Sequence, residues 1–399
     1  MARIVSPDLS SPAFKADPHP FYARLRAEAP VYRTRLSFLT TAWLVTRYDD
    51  AVFVLKEGPF SNALLRQKLL SWLPSRLEAL THHVLNADPP DHIRLRTLVS
   101  QAFTPRSVEL LRGRIQSVCD QLLDAAVKKG RLELVGDFAL RLPLTIIEDM
   151  LGIRPAERGR FDTWARRVAA GMSLALPDLV LGMPALWQSV GYLRGLVARR
   201  RAEPRDDMVT ALLQAEEAGD KLSEDEVIGM IGLLLLAGFE TTMGLIAGGA
   251  LALLRHPEQR RRFAEEPALA DSAIEELLRY TSPLDFALFR IAREDVTIAG
   301  VTIPKGDVVL AALGSANHDA ARFPNPDTLD LAREPNKHLA FGAGGHFCLG
   351  APLARLEGRI ALTTLFRRFP DLRLADPAET VPWRKGLSFR GPARLPLAF

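Results

Sequence analysis

The chain has 399 residues, a formal net charge of +4, 48% hydrophobic and 25% charged residues. That length allows one large core or two ordinary domains, and the balance is that of a globular protein. Arginines are spread along the chain with no basic segment interleaved with aromatics, which argues against nucleic-acid binding and suits a mildly basic surface for an acidic protein partner.

In chain order, the N-terminal Met1-Ala2-Arg3-Ile4-Val5-Ser6-Pro7 lacks the apolar run of a signal peptide, so a cytoplasmic location is expected. Helical periodicity marks residues 21–29, 93–102, 108–127, 226–255, 257–265 and 269–280. Strand-like runs are few: 42–46, a hairpin of 296–298 with 301–303 around Ala299-Gly300, and 308–311. Pro and Gly cluster between 304 and 350, where regular structure should be sparse. Neither an internal repeat nor a composition shift breaks the chain, so residues 1–399 read as a single, mainly helical domain with a small β part.

Residues 230–254 imitate a membrane span, with Glu240 as the one charge near the middle. Ser223 and Glu226 form a Ser-x-x-Glu capping box ahead of it. A helix apolar on all sides is more simply the central buried helix of a large core, and no membrane span is expected. Ala237-Gly238-Phe239-Glu240-Thr241-Thr242 then places an acid and two hydroxyls within that apolar run. Buried polar groups need partners. The threonines either bond back to the preceding turn and bend the helix, or serve chemistry.

Only Cys119 and Cys348 are available, too few for a disulfide framework, a four-ligand zinc site or an iron–sulfur cluster. Cys119 carries no motif. Cys348 lies in Phe341-Gly342-Ala343-Gly344-Gly345-His346-Phe347-Cys348-Leu349-Gly350, followed by the helical run from Ala351. Amide groups and the helix dipole there would stabilise a thiolate, and the glycines let backbone approach a flat group. Taken alone, a cysteine is more often a buried structural residue, here in a glycine-rich turn. The whole pattern Phe-Gly-x-Gly-x-His-x-Cys-x-Gly resembles the haem-ligand loop of the cytochrome P450 family.

The resemblance runs from Asp17-Pro18-His19-Pro20 to Leu395-Pro396-Leu397, nearly the whole chain. It implies the P450 fold, with a long central helix over a haem b whose iron is ligated by Cys348. The loop positions Phe341, Gly342, His346 and Gly350 would contact the cofactor, with Ala237 and Gly238 on the helix. Ala237-Gly238-Phe239-Glu240-Thr241 is similar to the family's oxygen-activation motif. By that likeness Thr241 holds dioxygen and water in a hydrogen-bond network while Glu240 supplies protons. His92 and Arg96 share one helix face after Pro89-Pro90-Asp91, which reads as the cap of that helix. With Arg290 and His346 they suit anionic propionates, though a solvated basic face would read the same way.

Glu276-Leu277-Leu278-Arg279 matches the family's Glu-x-x-Arg, a buried structural pair joined by a third basic residue. Where that residue is common, this chain has Thr328, so Arg322, Arg333 or His338 must substitute or the triad is a pair. Leu233, Leu236, Ala237, Phe286 and Phe389 are expected to line the substrate pocket, under a roof of apolar loops at 61–84 and 171–187. The implied activity is a soluble, bacterial-type monooxygenase acting on a lipophilic small molecule with dioxygen. A separate ferredoxin and its reductase would supply electrons, docking with help from Arg355 and Arg359. A peroxide-using peroxygenase and a non-catalytic haem sensor are the alternatives; the acid–alcohol pair argues against both.

Overall fold

A computed structural model of the chain describes residues 4–36, 40–56, 58–69, 74–159, 176–217, 219–376 and 380–399. The chain forms two compact units: residues 1–60, 113–142 and 241–399, and residues 61–112 and 143–240.

The first unit carries the sheet. Strands β1 (Val31–Arg35) and β2 (Thr41–Val45) pair antiparallel, β4 (Val308–Ala311) runs parallel to β2, and β3 (Arg290–Ala292) pairs antiparallel with β4. Register sets Val309 opposite both Trp43 and Arg290, which fixes where Arg290 leaves the sheet. Val31, Val45, Val309 and Ala311 pack with Val54 and Leu55 of helix α1 (Tyr48–Leu55) into one cluster. The expected hairpin forms, with Ala299 and Gly300 both at positive φ (48° and 79°), as a two-residue type I′ turn requires.

Sequence periodicity finds the main helices within a few residues. Residues 93–102 become α2 (Asp91–Ala102), and 269–280 become Ala270–Thr281. Within the expected Pro89-Pro90-Asp91 cap, Pro90 is the N-terminal cap of α2 and Asp91 its first residue, contributing charge in the first turn. The expected 108–127 helix is two pieces, Pro105–Leu110 and α3 (Arg112–Lys129), and a capping box of Thr104 and Ser107 starts the first piece early.

Helix α6 (Glu224–Arg255) is the longest element. Ser223 and Glu226 exchange the expected capping bonds (2.7 and 3.3 Å), and Glu226 also pairs with Arg94. By length and composition α6 could cross a membrane, yet 67% of its most apolar window is buried inside the protein. Its first half belongs to the second unit with α5 (Leu176–Ala202) and α4 (Arg141–Met150). Its second half belongs to the first unit, where Gly249 lies against Leu277 of α7 (Ala270–Thr281) and Leu362 of α8 (Ala351–Arg368).

The apolar roof expected at 61–84 and 171–187 falls partly on residues 70–73 and 160–175, outside the described residues. Its described parts are largely helical rather than loops: Ala63–Leu69, Ser75–Glu78 and the start of α5. Apolar residues with few charges fit a buried helix as well as a loop, and the composition does not separate the two.

Candidate active site

The cysteine loop is built by backbone. Gly342 donates to the Leu339 carbonyl (2.9 Å), Phe347 to Gly344 (3.1 Å) and Cys348 to Phe341 (2.9 Å). Gly342 and Gly344 sit at φ 72° and 74°, where only glycine is unstrained. At Gly344 a Cβ would lie 2.8 Å from the Leu55 carbonyl oxygen and 2.9 Å from the Lys56 Cα, so the loop closes on the end of α1 only because that side chain is absent. Helix α8 begins at Ala351, three residues after Cys348, with Pro352 in its first turn.

Cys348 is exposed and Cys119 is buried. Burial, with Glu357 and Asp120 nearby, pushes the Cys119 thiol well up, so it is inert. Arg355, one turn into α8, stacks its guanidinium 4.5 Å from the Phe341 ring centroid. Its pKa is raised by its hydrogen bonds to Glu275 (2.7 and 2.8 Å), with a smaller contribution from the field of Cys348. Arg359 is likewise engaged, with Asp271 at 2.7 Å. Both arginines expected to meet an electron donor are therefore held within the chain.

Arg290 is buried and donates to the Leu55 carbonyl at 3.0 Å, the oxygen against which Gly344 closes. The first unit thus brings Arg290 to the loop that carries His346 and Cys348. His92, buried, and Arg96, partly accessible, stand one turn apart on α2 in the other unit.

Along α6 the burial pattern is one-sided. Ile231, Leu235, Phe239, Glu240 and Thr242 are buried, whereas Leu233, Leu234, Leu236, Ala237, Gly238 and Thr241 keep accessible surface, Ala237 the most. Positions 233, 237 and 241 repeat at intervals of four, so the open residues form one face. Glu240 is 4% exposed, directly before the accessible Thr241. Gly238 also has a packing role: a Cβ there would lie 2.6 Å from Ile147 Cδ1 of α4. Helix α4 therefore approaches the motif as closely as glycine permits.

The expectation for Phe286 needs correction. Its side chain is 1% exposed, edge-on to Tyr22 at 6.3 Å and beneath Lys15 Nζ at 5.3 Å, so it packs in the core of its own unit. The bridge Phe286↔Ala312 turns it inward, and Leu288 is 43% exposed instead. No helical or strand period runs through 284–289, so the sequence does not set which of its side chains faces inward. Phe389 keeps partial exposure and bridges Leu284.

Glu276 and Arg279 are fully buried and bonded twice at 2.8 Å. Of the three substitutes for the missing basic residue, Arg333 takes the place: its Nε lies 3.1 Å from both Glu276 oxygens. Asn336 Nδ2 and the Asp330 amide complete the carboxylate shell at 3.0 Å. Thr328 contributes its carbonyl, which accepts from Arg279 and Arg333. Arg322 stacks over Tyr48 and His338 pairs with Glu275.

The accessible thiol in a glycine cradle, the open apolar face ending in an acid–alcohol pair, and the buried cation beside the cradle all fit a thiolate-bound haem. A family model described as Cytochrome P450 matches residues 192–376. The polyketide biosynthesis cytochrome P450 PksS of Bacillus subtilis strain 168 is 41% identical over 96% of both chains. Its solved structure superposes with a TM-score of 0.91 at 39% identity, covering 99% of each chain. The myxobacterial cytochrome P450 CYP267B1, solved in complex with myristic acid, gives a TM-score of 0.90 at 41% identity over 99% of each chain. The chain belongs to the cytochrome P450 family. It is a haem-thiolate monooxygenase, an oxidoreductase of the class whose bacterial members act on lipophilic and secondary-metabolite substrates.

Proposed function

We propose that Cys348 ligates the haem iron and that Glu240 and Thr241 deliver protons for oxygen insertion into a lipophilic substrate lying along the open face of α6. The observation that carries this is the one-sided accessibility of α6, which leaves an apolar stripe and one hydroxyl open on an otherwise buried helix. Bound through the Cys348 thiolate, the haem supplies reductive activation of dioxygen.

The protein's own part follows from its residues. Backbone turns present Cys348 at an exposed position near the start of α8, and the Arg355 charge favours its thiolate form. Arg290, His346, His92 and Arg96 hold the propionates. Phe341, Gly342 and Gly350 shape the thiolate side, while Ala237 and Gly238 leave room on the other. Glu240, shielded from solvent, supplies protons, and the Thr241 hydroxyl orients water and passes them on. Leu233, Leu236 and Ala237, with Leu288 and Phe389, exclude bulk water and bind the substrate.

An acyl chain or a polyketide suits such a lining. The name of PksS and the myristic acid held by CYP267B1 support that choice. Electrons come from a separate acidic ferredoxin and its reductase, and the whole chain, 1–399, works as one catalytic domain in the cytoplasm. The test is the spectrum of dithionite-reduced protein under carbon monoxide. A Soret band at the family's namesake wavelength, lost in Cys348→Ser, is expected; a band at the position of histidine-ligated haem overturns the ligand assignment.

A further inference from the structure

Away from the cysteine loop, the first unit has a half-open cavity of about 550 Å³ whose lining includes His19, His256, Tyr280, His318, Asp327 and Arg255. No residue of the cysteine loop lines it. Three of these side chains converge: one ligand atom from each of His19, His318 and Asp327 lies within 4.8 Å of the others. The two imidazole rings are 3.9 Å apart, tilted by 37°.

The tautomer of His318 is set by its surroundings. Its Nδ1 is 3.1 Å from the Gly314 carbonyl, so Nδ1–H donates to that oxygen and a lone pair is left on Nε2. That Nε2 is buried and has no hydrogen-bond partner among the described residues, and neither has the buried Nδ1 of His19. His318 is 1% exposed, so an unanswered nitrogen there is costly without a ligand. The arrangement of a backbone carbonyl behind an imidazole is the one that orients metal-bound histidines.

We propose that His19, His318 and Asp327 form a binding site for one divalent transition-metal ion of the Zn²⁺ class, with its remaining coordination positions facing the cavity. Two imidazoles and one carboxylate are a borderline-soft donor set, three protein ligands with a fourth position open. Ca²⁺ and Mg²⁺ ask for many oxygens and find one carboxylate. Nearby guanidiniums, Arg255 among them, also disfavour weakly held cations, although three have an acid nearby: Arg279 has Glu276, Arg390 has Asp285, and Arg26 has Asp319 and Asp327.

The ion would tie three distant segments together: the N-terminal helical stretch His19–Glu28, the turn after β4, and the loop holding Asp327. The proposal is independent of the haem assignment. Its test titrates metal-free holoenzyme with Zn²⁺ at pH 7.5 by calorimetry, with bound zinc counted by elemental analysis. One ion per chain is expected. Asp327→Asn, an exposed and conservative change, should weaken binding by about tenfold or more. His318→Gln should abolish stoichiometric binding, with the haem spectrum unchanged in both variants. Less than one ion per chain in the unaltered protein, or Asp327→Asn binding as tightly as the parent, overturns the site. If His318→Gln fails to fold, the Asp327→Asn comparison still decides.

Discussion

Glu240 and Thr241 are consecutive, yet one is shut inside the protein and the other reaches the open face of α6. The proposed relay needs that difference, and a helix step of about 100° supplies it. Thr241→Ala is expected to keep cofactor and substrate binding while product per NAD(P)H falls by about tenfold or more and peroxide rises. Unchanged coupling in a peroxide and product assay would remove Thr241 from the relay. Glu357 poses a separate question. Its carboxyl is fully buried, one oxygen has no partner among the described residues, and burial raises its pKa to about 8. The folded protein then holds a proton that the unfolded chain releases above about pH 4.5. Stability should therefore decline as pH rises from there to about 8, by up to about 1.4 kcal/mol per pH unit from this group. In Glu357→Gln that slope should be absent from urea unfolding measured across the interval.

Among elements, the Glu276 network shows what spacing can and cannot reveal. Glu276 and Arg279 are legible because a three-residue step puts both on one helix face. Arg333 is not, since it arrives by a loop whose path depends on the Arg279 bonds to the Asn317, Pro326 and Thr328 carbonyls. Arg333→Ala leaves Glu276 with Arg279, Asn336 and an amide, so the expected cost is about 1–3 kcal/mol, below that of stripping a buried charge of its main partner. Thermal unfolding of the holoprotein checks this, and haem content should hold. The capping box of α6 and the hairpin at Ala299-Gly300 were readable because each is local chemistry. Phe286 was misplaced because its facing is set by Tyr22 and Lys15, far away in sequence. The two imidazoles of the zinc proposal escaped sequence reading for the same reason, standing 299 positions apart, 318 less 19.

For the molecule as a whole, the resemblance spanned both compact units, and the solved P450 structures bear out that fold across nearly the full chain. Surface charge is where it guided least. Arg359 and Asp271 form an exposed pair worth at most about 1 kcal/mol, so an acidic protein can compete for that guanidinium. Arg355 is held by Glu275, Phe341 and the field of Cys348, and is better placed to tune the thiolate. Burial works to raise the Glu275 pKa, but hydrogen bonds from Arg355 and His338 bring it down to about 2. This pair therefore persists to low pH, and its contribution fades only as pH drops from about 4 toward 2. Stopped-flow reduction by an acidic ferredoxin should slow as salt shortens the Debye length below about 10 Å, and should slow again in Arg359→Glu. Arg355→Ala should instead alter the haem spectrum. A reduction rate indifferent to both salt and Arg359→Glu would point to a different donor surface.

The contrast between an exposed Cys348 and a buried Cys119 makes the chain its own occupancy gauge. An alkylating reagent should modify one thiol rapidly in haem-free protein and none in protein whose sulfur is bound to iron. The fraction labelled would then count unloaded molecules in any preparation, with no need for light absorption at all.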